Sequence, residues 1–201
     1  ADRWASVISV VTIFLLWGAF TGSSLVPIHA PGPFKGDSSF TYTVSDGTQS
    51  DDATVAVRVF EVGQDVEEPQ IEAGDGVAKN DTATIGAWRA GLVRVDQNDE
   101  LGRDENVTVV AINGEPIAPG ETVAVDNGTV TLSGRGTPNF TPYKGWQMEP
   151  IWLPSPEQVA ARTVEIASTG YQNFTLLEHL FWSLYRVIIG FALGALVGIP
   201  L

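Results

Sequence analysis

The chain contains no cysteine and only two histidines, His29 and His179, far apart in sequence. A disulfide scaffold and a thiolate metal site are therefore excluded. A histidine zinc site or a Ser-His-Asp triad would lack partners. Basic residues are scarce as well, 11 Lys and Arg against 24 Asp and Glu, for a net charge of -13. The deficit is concentrated in residues 31–145, which hold 19 acidic and 8 basic side chains. Nucleic acid is excluded as a partner, because its phosphates demand a basic face. No nucleophile stands beside a base, no glycine loop fits a phosphate, and no carboxylates pair in apolar surroundings, so the expectation is that the chain is not an enzyme.

Charge is nearly absent from Phe181 to Leu201, where Arg186 is the only charged residue. About 20 apolar residues suffice to cross a bilayer as a helix. Gly190, Gly194 and Gly198 recur every fourth residue, close to one stripe of such a helix, and are candidates for close helix packing. The competing reading is an anchor in which glycine is incidental. Arg186 falls near the start of this run, where it either meets an acidic or polar partner or snorkels to the headgroups. Residues 4–20 form a shorter apolar segment with Trp4 and Trp17 near its ends, as interfacial anchors would be. A cleaved signal peptide competes for it, but the positive n-region is thin and no clean cleavage site follows.

Between the apolar ends the pattern changes to period two. Phe40, Tyr42 and Val44 alternate with Thr41, Thr43 and Ser45, and Val55, Val57 and Val59 continue the theme after Asp46-Gly47. This predicts a β-hairpin with a longer loop. Residues 61–79 are acidic and rich in Gly and Pro, as a solvated linker would be. Further strands are expected at 82–86, 91–95, 106–112, 121–125, 129–133 and 137–141, with turns at Asn113-Gly114, Pro119-Gly120 and Asn127-Gly128. About eight short strands at this spacing predict an antiparallel sandwich. Asn80, Asn106, Asn127 and Asn139 read as turn and edge residues.

The stretch SSFTYTVSDGTQSDDATVAVRV resembles the closing half of a bacterial cadherin-like or VCBS-type repeat. The stretch from Asn80 to Gly145, beginning NDTATIGAWRAGLVRVDQNDELGRDENVTVV, resembles the opening half. The order is reversed relative to that family, which implies either one permuted domain or parts of two successive repeats. Permutation is preferred, since new ends near Phe34 and Lys144 would lie close together, as insertion of a domain requires. The resemblance also implies calcium. Asp96, Asn98, Asp99 and Asp104 are the candidate ligands, in an acidic loop that lacks EF-hand spacing. A solvated acidic turn is the weightier alternative.

After Gly145 the chain turns apolar, then reads Leu153-Pro154-Ser155-Pro156-Glu157-Gln158. Ser155 is an N-cap, Pro156 suits the first helical position, and Gln158 completes a capping box. Glu157 suits the helix dipole. The helix is expected to run to about Ser168, with Val159, Thr163, Val164, Ile166 and Ala167 on its buried side and Gly170 ending it. Asn173 or Thr175 starts the next helix, which carries Phe174 to Ile199 into the membrane. His179 reads as an interfacial side chain.

Leu16-Trp17, the Leu-Pro-Ser-Pro helix and the segment HLFWSLYRVIIGFALGALVGIPL together are similar to the N-terminal part of an ABC-transporter permease of the nitrate/sulfonate/taurine import family. In that family a short loop joins the first span to the Leu-Pro-Ser-Pro helix; here a β-rich segment intervenes. The expectation is a permease fragment, since the coupling helix and later spans of the family would lie beyond Leu201.

The resemblances imply a membrane α-helical protein with an inserted cadherin/Ig-like β-sandwich. Residues 1–30 are the first transmembrane helix and its exit, 34–145 the insert, and 146–201 the Leu-Pro-Ser-Pro helix and second transmembrane helix. The chain would sit in a bacterial inner membrane with the insert on the periplasmic side. Its expected partners are membrane lipid, an ABC ATPase subunit that binds ATP, a periplasmic substrate-binding protein and a second permease subunit, as a homodimer. A membrane-anchored adhesin or structural surface protein is the alternative, and a fusion of unrelated pieces a third.

Overall fold

A computed structural model describes residues 2–61, 63–98 and 107–198. It divides into two compact units. One combines residues 1–29 with 148–201, and the other is residues 30–147.

The second unit is all β. β1 (Gly36–Ser45) and β2 (Ser50–Phe60) pair antiparallel over their whole lengths. The loop is tighter than the sequence suggests. Asp46 Oδ1 accepts hydrogen bonds from Thr48 N, Thr48 Oγ1 and Gln49 N, all at 2.7 Å, so only four residues separate the strands. An Asp side chain that satisfies the backbone of its own turn is a standard way to close one. Alternation decides which side chains go in: Phe40, Tyr42, Val44, Ala53, Val55, Val57 and Val59 are buried.

β3 (Asp81–Gly86) adds to β2 in parallel, with Val55 opposite Asp81 and Phe60 opposite Gly86. The sheet is thus mixed, where an antiparallel sandwich was expected. A parallel neighbour needs a crossover of a dozen or more residues, and the segment between Phe60 and Asp81 supplies one. That segment is also less free than a solvated linker. Ala78 is buried in the core, Ala78 N donates to Asp51 Oδ2 at 2.9 Å, and Asn80 Oδ1 accepts from Thr54 N at 2.7 Å. The Ala78 bond is the leading reason that the Asp51 carboxyl is held below its ordinary range.

β4 (Gly91–Leu92), β5 (Thr108–Ile112), β6 (Glu115–Pro116), β7 (Thr122–Val125), β8 (Gly128–Leu132) and β9 (Pro138–Pro142) complete the unit. One sheet has the order β3-β2-β1-β5-β6, the other β4-β9-β8-β7. β4 is shorter than the expected 91–95 run, although Val93 and Val95 still point into the core. Asn113 and Gly114 both take positive φ, 49° and 76°, between β5 and β6, the conformation that makes Asn-Gly a hairpin turn. Both sheets contribute to one apolar core, in which Phe40 of one and Phe140 of the other stack at 6.1 Å and 3°. Tyr42 is fully buried; its hydroxyl lies 2.9 Å from both Lys79 O and Asp81 Oδ2, so the largest polar atom of the core is satisfied.

The unit's two ends run side by side. Phe34 N donates to Tyr143 O at 2.8 Å, and Trp146 N to Pro31 O at 2.7 Å. Gly145, at φ 67°, lies so close to the carbonyls of Pro31 and Gly32 that a Cβ there would collide with them.

The first unit is helical: α1 (Asp2–Thr21), α2 (Pro156–Thr169) and α3 (Leu176–Gly198). α1 and α3 are long and apolar enough to cross a membrane. No residue of α3 is buried. α1 ends in a Schellman-type turn: Gly22 takes φ 65° and Ser23 N donates to Gly18 O at 3.0 Å.

α2 departs from expectation on its apolar side. Val159 and Val164 are exposed, and of the helix only Pro156 is buried. No element covers that stripe among the described residues. α3 starts at Leu176, with Thr175 as cap: Thr175 N and Oγ1 donate to Glu178 Oε2 at 2.7 and 2.9 Å. This start makes Arg186 the eleventh of 23 helical residues, at mid-helix and not near its beginning.

Candidate functional site

The densest polar construction in the helical unit is a collar where α1 ends and α2 begins. α1 delivers Trp17 and its terminal turn delivers Ser23 and Ser24; the Leu-Pro-Ser-Pro segment delivers Pro154, Ser155 and Glu157. Trp17 Nε1 donates to Pro154 O at 2.9 Å. Ser23 Oγ donates to Glu157 Oε2 at 2.6 Å, and Ser24 N to Glu157 Oε1 at 2.9 Å. Met148 N reaches Phe20 O at 2.8 Å, and His29 Nε2 lies 2.7 Å from Ser23 O. Because a carbonyl can only accept, that histidine nitrogen carries the proton. Ser23 and Ser155 are both buried.

The local sequence explains the geometry. Gly22, at φ 65°, ends α1 and lets the chain turn, so that Ser23 and Ser24 follow outside the helix. Pro156 starts α2 and leaves Glu157 in its first turn, where free backbone N–H groups favour a carboxylate. Gln158 Oε1 accepts from Ser155 N at 3.1 Å, so Ser155 and Gln158 form the capping box at this terminus, with Pro156 as the first helical residue. The Ser23 hydroxyl is the main reason that the Glu157 carboxyl is pulled from 4.5 to about 2; the amides of Glu157 and Ser24 and the Ser155 hydroxyl act the same way, and partial desolvation opposes them.

The collar was only partly visible in the sequence. Ser155, Pro156 and Gln158 have the spacing of a cap, and Glu157 reads as a dipole partner. What Glu157 binds was missed. The available signal was the Gly22-Ser23-Ser24 run directly after an apolar helix.

The candidate metal residues are brought together only in part. Asn98 Nδ2 donates to Asn80 O at 3.0 Å, and Asp96 lies two residues earlier in the same loop. Asp99 and Asp104 lie outside the described residues. Among the described residues, no three His, Cys, Asp or Glu side chains gather as a metal site would require. Asn98 also borders an open groove of about 490 Å³ lined by Glu68, Asp81 and Thr82.

Gly190, Gly194 and Gly198 are open: a Cβ at any of them would meet nothing within 4 Å. The stripe has no partner among the described residues. His179 Nε2 lies 2.9 Å from Tyr171 O, and its ring is edge-on to Phe174 at 5.7 Å.

No family model, no curated protein and no solved structure matches this chain.

Proposed function

We propose that the chain is part of the membrane-spanning subunit of an ABC importer for a small anion such as nitrate, a sulfonate or taurine, in a bacterial inner membrane. A permuted cadherin-like β-sandwich is inserted after its first span and faces the periplasm. ATP hydrolysis belongs to a separate ATPase subunit, capture to a periplasmic binding protein, and a second permease copy completes the pathway.

The observation that carries the proposal is the collar. The Leu-Pro-Ser-Pro segment is seated on the end of α1 through Trp17, Ser23 and Glu157, although residues 30–147 separate the two in sequence. The fit holds the end of α1 against the start of α2, the two pieces that the resemblance assigns to the permease. Insertion is supported by the adjacent ends of the β-unit, and permutation by the single core that its two halves share.

The test is cysteine accessibility, for which this cysteine-free chain is a ready background. Ser50→Cys and Arg135→Cys, each introduced singly, should react with a membrane-impermeant maleimide from the periplasmic side of intact cells. Labelling only after the inner membrane is permeabilised would overturn the proposed topology. Periplasmic labelling of a chain that carries no ATPase subunit through purification would leave the anchored-adhesin reading in its place.

A further inference from the structure

The chain has seven asparagines, and five of them, Asn80, Asn106, Asn127, Asn139 and Asn173, carry a threonine two positions on. Serine and threonine together make up 29 of the 201 residues, so composition alone would place one behind about one asparagine of the seven. The residue between is never proline. Asn-x-Thr in this form is the acceptor pattern for N-linked glycans on translocated chains.

The fold separates the five triplets. Asn80 Nδ2 donates to Glu72 O at 2.9 Å and its Oδ1 accepts from Thr54 N at 2.7 Å, so this amide is occupied in holding the crossover to β2. Asn139 sits in β9 between β8 and β4, and its Oδ1 is buried. At Asn173 it is the threonine that is engaged, since Thr175 Oγ1 donates to Glu178 Oε2 at 2.9 Å in the cap of α3. Asn106 lies outside the described residues. Asn127 meets none of these limits. It is exposed in the turn between β7 and β8, at φ 62°. Neither its side chain nor the Thr129 hydroxyl has a hydrogen-bond partner among the described residues.

The surroundings of Asn127 also suit a sugar. Tyr143 N donates to Asn127 O at 2.8 Å, which sets Tyr143, 54 % exposed, beside the turn. Asn127 and Thr129 border an open groove of about 580 Å³ whose wall includes Phe34, Pro142 and Tyr143. An aromatic ring with a polar tip matches a pyranose, which has an apolar face and a hydroxylated rim.

We propose, resting on the periplasmic placement of the β-unit, that Asn127 is the acceptor of an N-linked glycan whose first sugar lies along Tyr143. The donor is an oligosaccharide carried on a lipid pyrophosphate, brought by a transferase of the same compartment. Asn127 Nδ2 forms a bond to the anomeric carbon and the amide gives up one proton. The bond from that carbon to the pyrophosphate oxygen breaks, and the lipid pyrophosphate leaves with the electron pair. Nothing is oxidised or reduced. A glycan at Asn127 breaks no contact of the fold, whereas one at Asn80 or Asn139 would displace packed groups.

The experiment uses the full chain purified in detergent from the membranes of the cells in which it naturally occurs, with the peptide around Asn127 weighed by mass spectrometry. The expected wild-type peptide is heavier by whole sugar residues. That mass should be lost in Asn127→Gln and in Thr129→Val, and retained in part in Thr129→Ser, which keeps the hydroxyl. Thr129→Val is the informative variant, because it leaves Asn127 and its turn in place and preserves the shape of the strand residue. An unmodified wild-type peptide, in cells where Ser50→Cys reacts with an impermeant maleimide, overturns the site and leaves the topology standing. An unmodified peptide with an unreactive Ser50→Cys sinks the topology, and the site with it. Sugar that persists at Asn127 in Thr129→Val, or that is found only on another asparagine, also overturns the proposal.

Discussion

The β-unit and the helical unit are both rich in apolar side chains and treat them in opposite ways. In the β-unit Phe40 is 2 % exposed and Val57 fully buried; in the helical unit Trp4 is 75 % and Phe191 79 % exposed. The β-unit alternates inward and outward residues, so two sheets close one core and leave threonines and carboxylates to water. The helices α1 and α3 expose large apolar side chains along most of their lengths. One unit buries its apolar side chains in a core of its own, and the other leaves two helices that are long and apolar enough to cross a membrane.

The contrast can be broken most decisively by separating the units. Residues 30–147 expressed alone should be soluble and unfold in one cooperative urea transition. The full chain should stay with the membrane through alkaline extraction and aggregate on removal of detergent. A full chain that is soluble without detergent would erase the comparison.

Next in size is the core itself. Phe140→Ala should lower the unfolding free energy of the β-unit by about 3–5 kcal/mol, since it removes one ring of the inter-sheet stack and leaves a cavity. Phe191→Ala, at an exposed position of α3, should leave the same transition unmoved. Urea melts followed by near-UV circular dichroism test both.

Gly128→Ala should cost about 1–3 kcal/mol, because a Cβ there collides with the Thr141 carbonyl and crowds Phe140 in a packed core. Gly194→Ala meets open space in α3 and should leave thermal unfolding unchanged; a large loss there would reveal a closely packed neighbouring helix.

The collar sharpens the comparison through pH. Glu157 has a folded-state pKa of about 2 against an ordinary 4.5. Its contribution is therefore fully present above pH 4.5 and is lost as pH falls through about 2. A ¹³C-carboxylate titration in detergent should find the low midpoint, and Ser23→Ala should move it toward 4.5. The smallest effect belongs to the surface of the β-unit. Arg58 meets Asp37 across β1 and β2 at 2.6 Å, and the Asp37 carboxyl is lowered chiefly by that hydrogen bond. Exposed pairs contribute little. Arg58→Gln should shift the melting midpoint barely above measurement error.

How far the sequence could be read depends on the range of the interaction. The strands around Phe40 and Val57, the Asn113-Gly114 turn and the Ser155 cap rest on neighbours within a few residues, and each was legible. The parallel pairing of β2 and β3 was not, because it depends on how the segment between Phe60 and Asp81 folds back, and its acidity looks like that of a free linker. The apolar side of α2 is real in the sequence, but a stripe does not say what covers it. Arg186 was placed by the start of the apolar run, although Thr175 was already a candidate start of the helix; counted from that cap it falls at mid-helix.

By itself the amino-acid order determined the division of this protein into a period-two, acidic middle and uniformly apolar ends, because side-chain alternation and hydropathy are properties of local order. The tertiary structure alone decided that two separated β-segments share one core, and that Glu157 reaches back to Ser23 and Ser24. Glu157 and Ser23 are 134 positions apart, and partners of that kind are chosen by how the chain folds back, which no local pattern encodes.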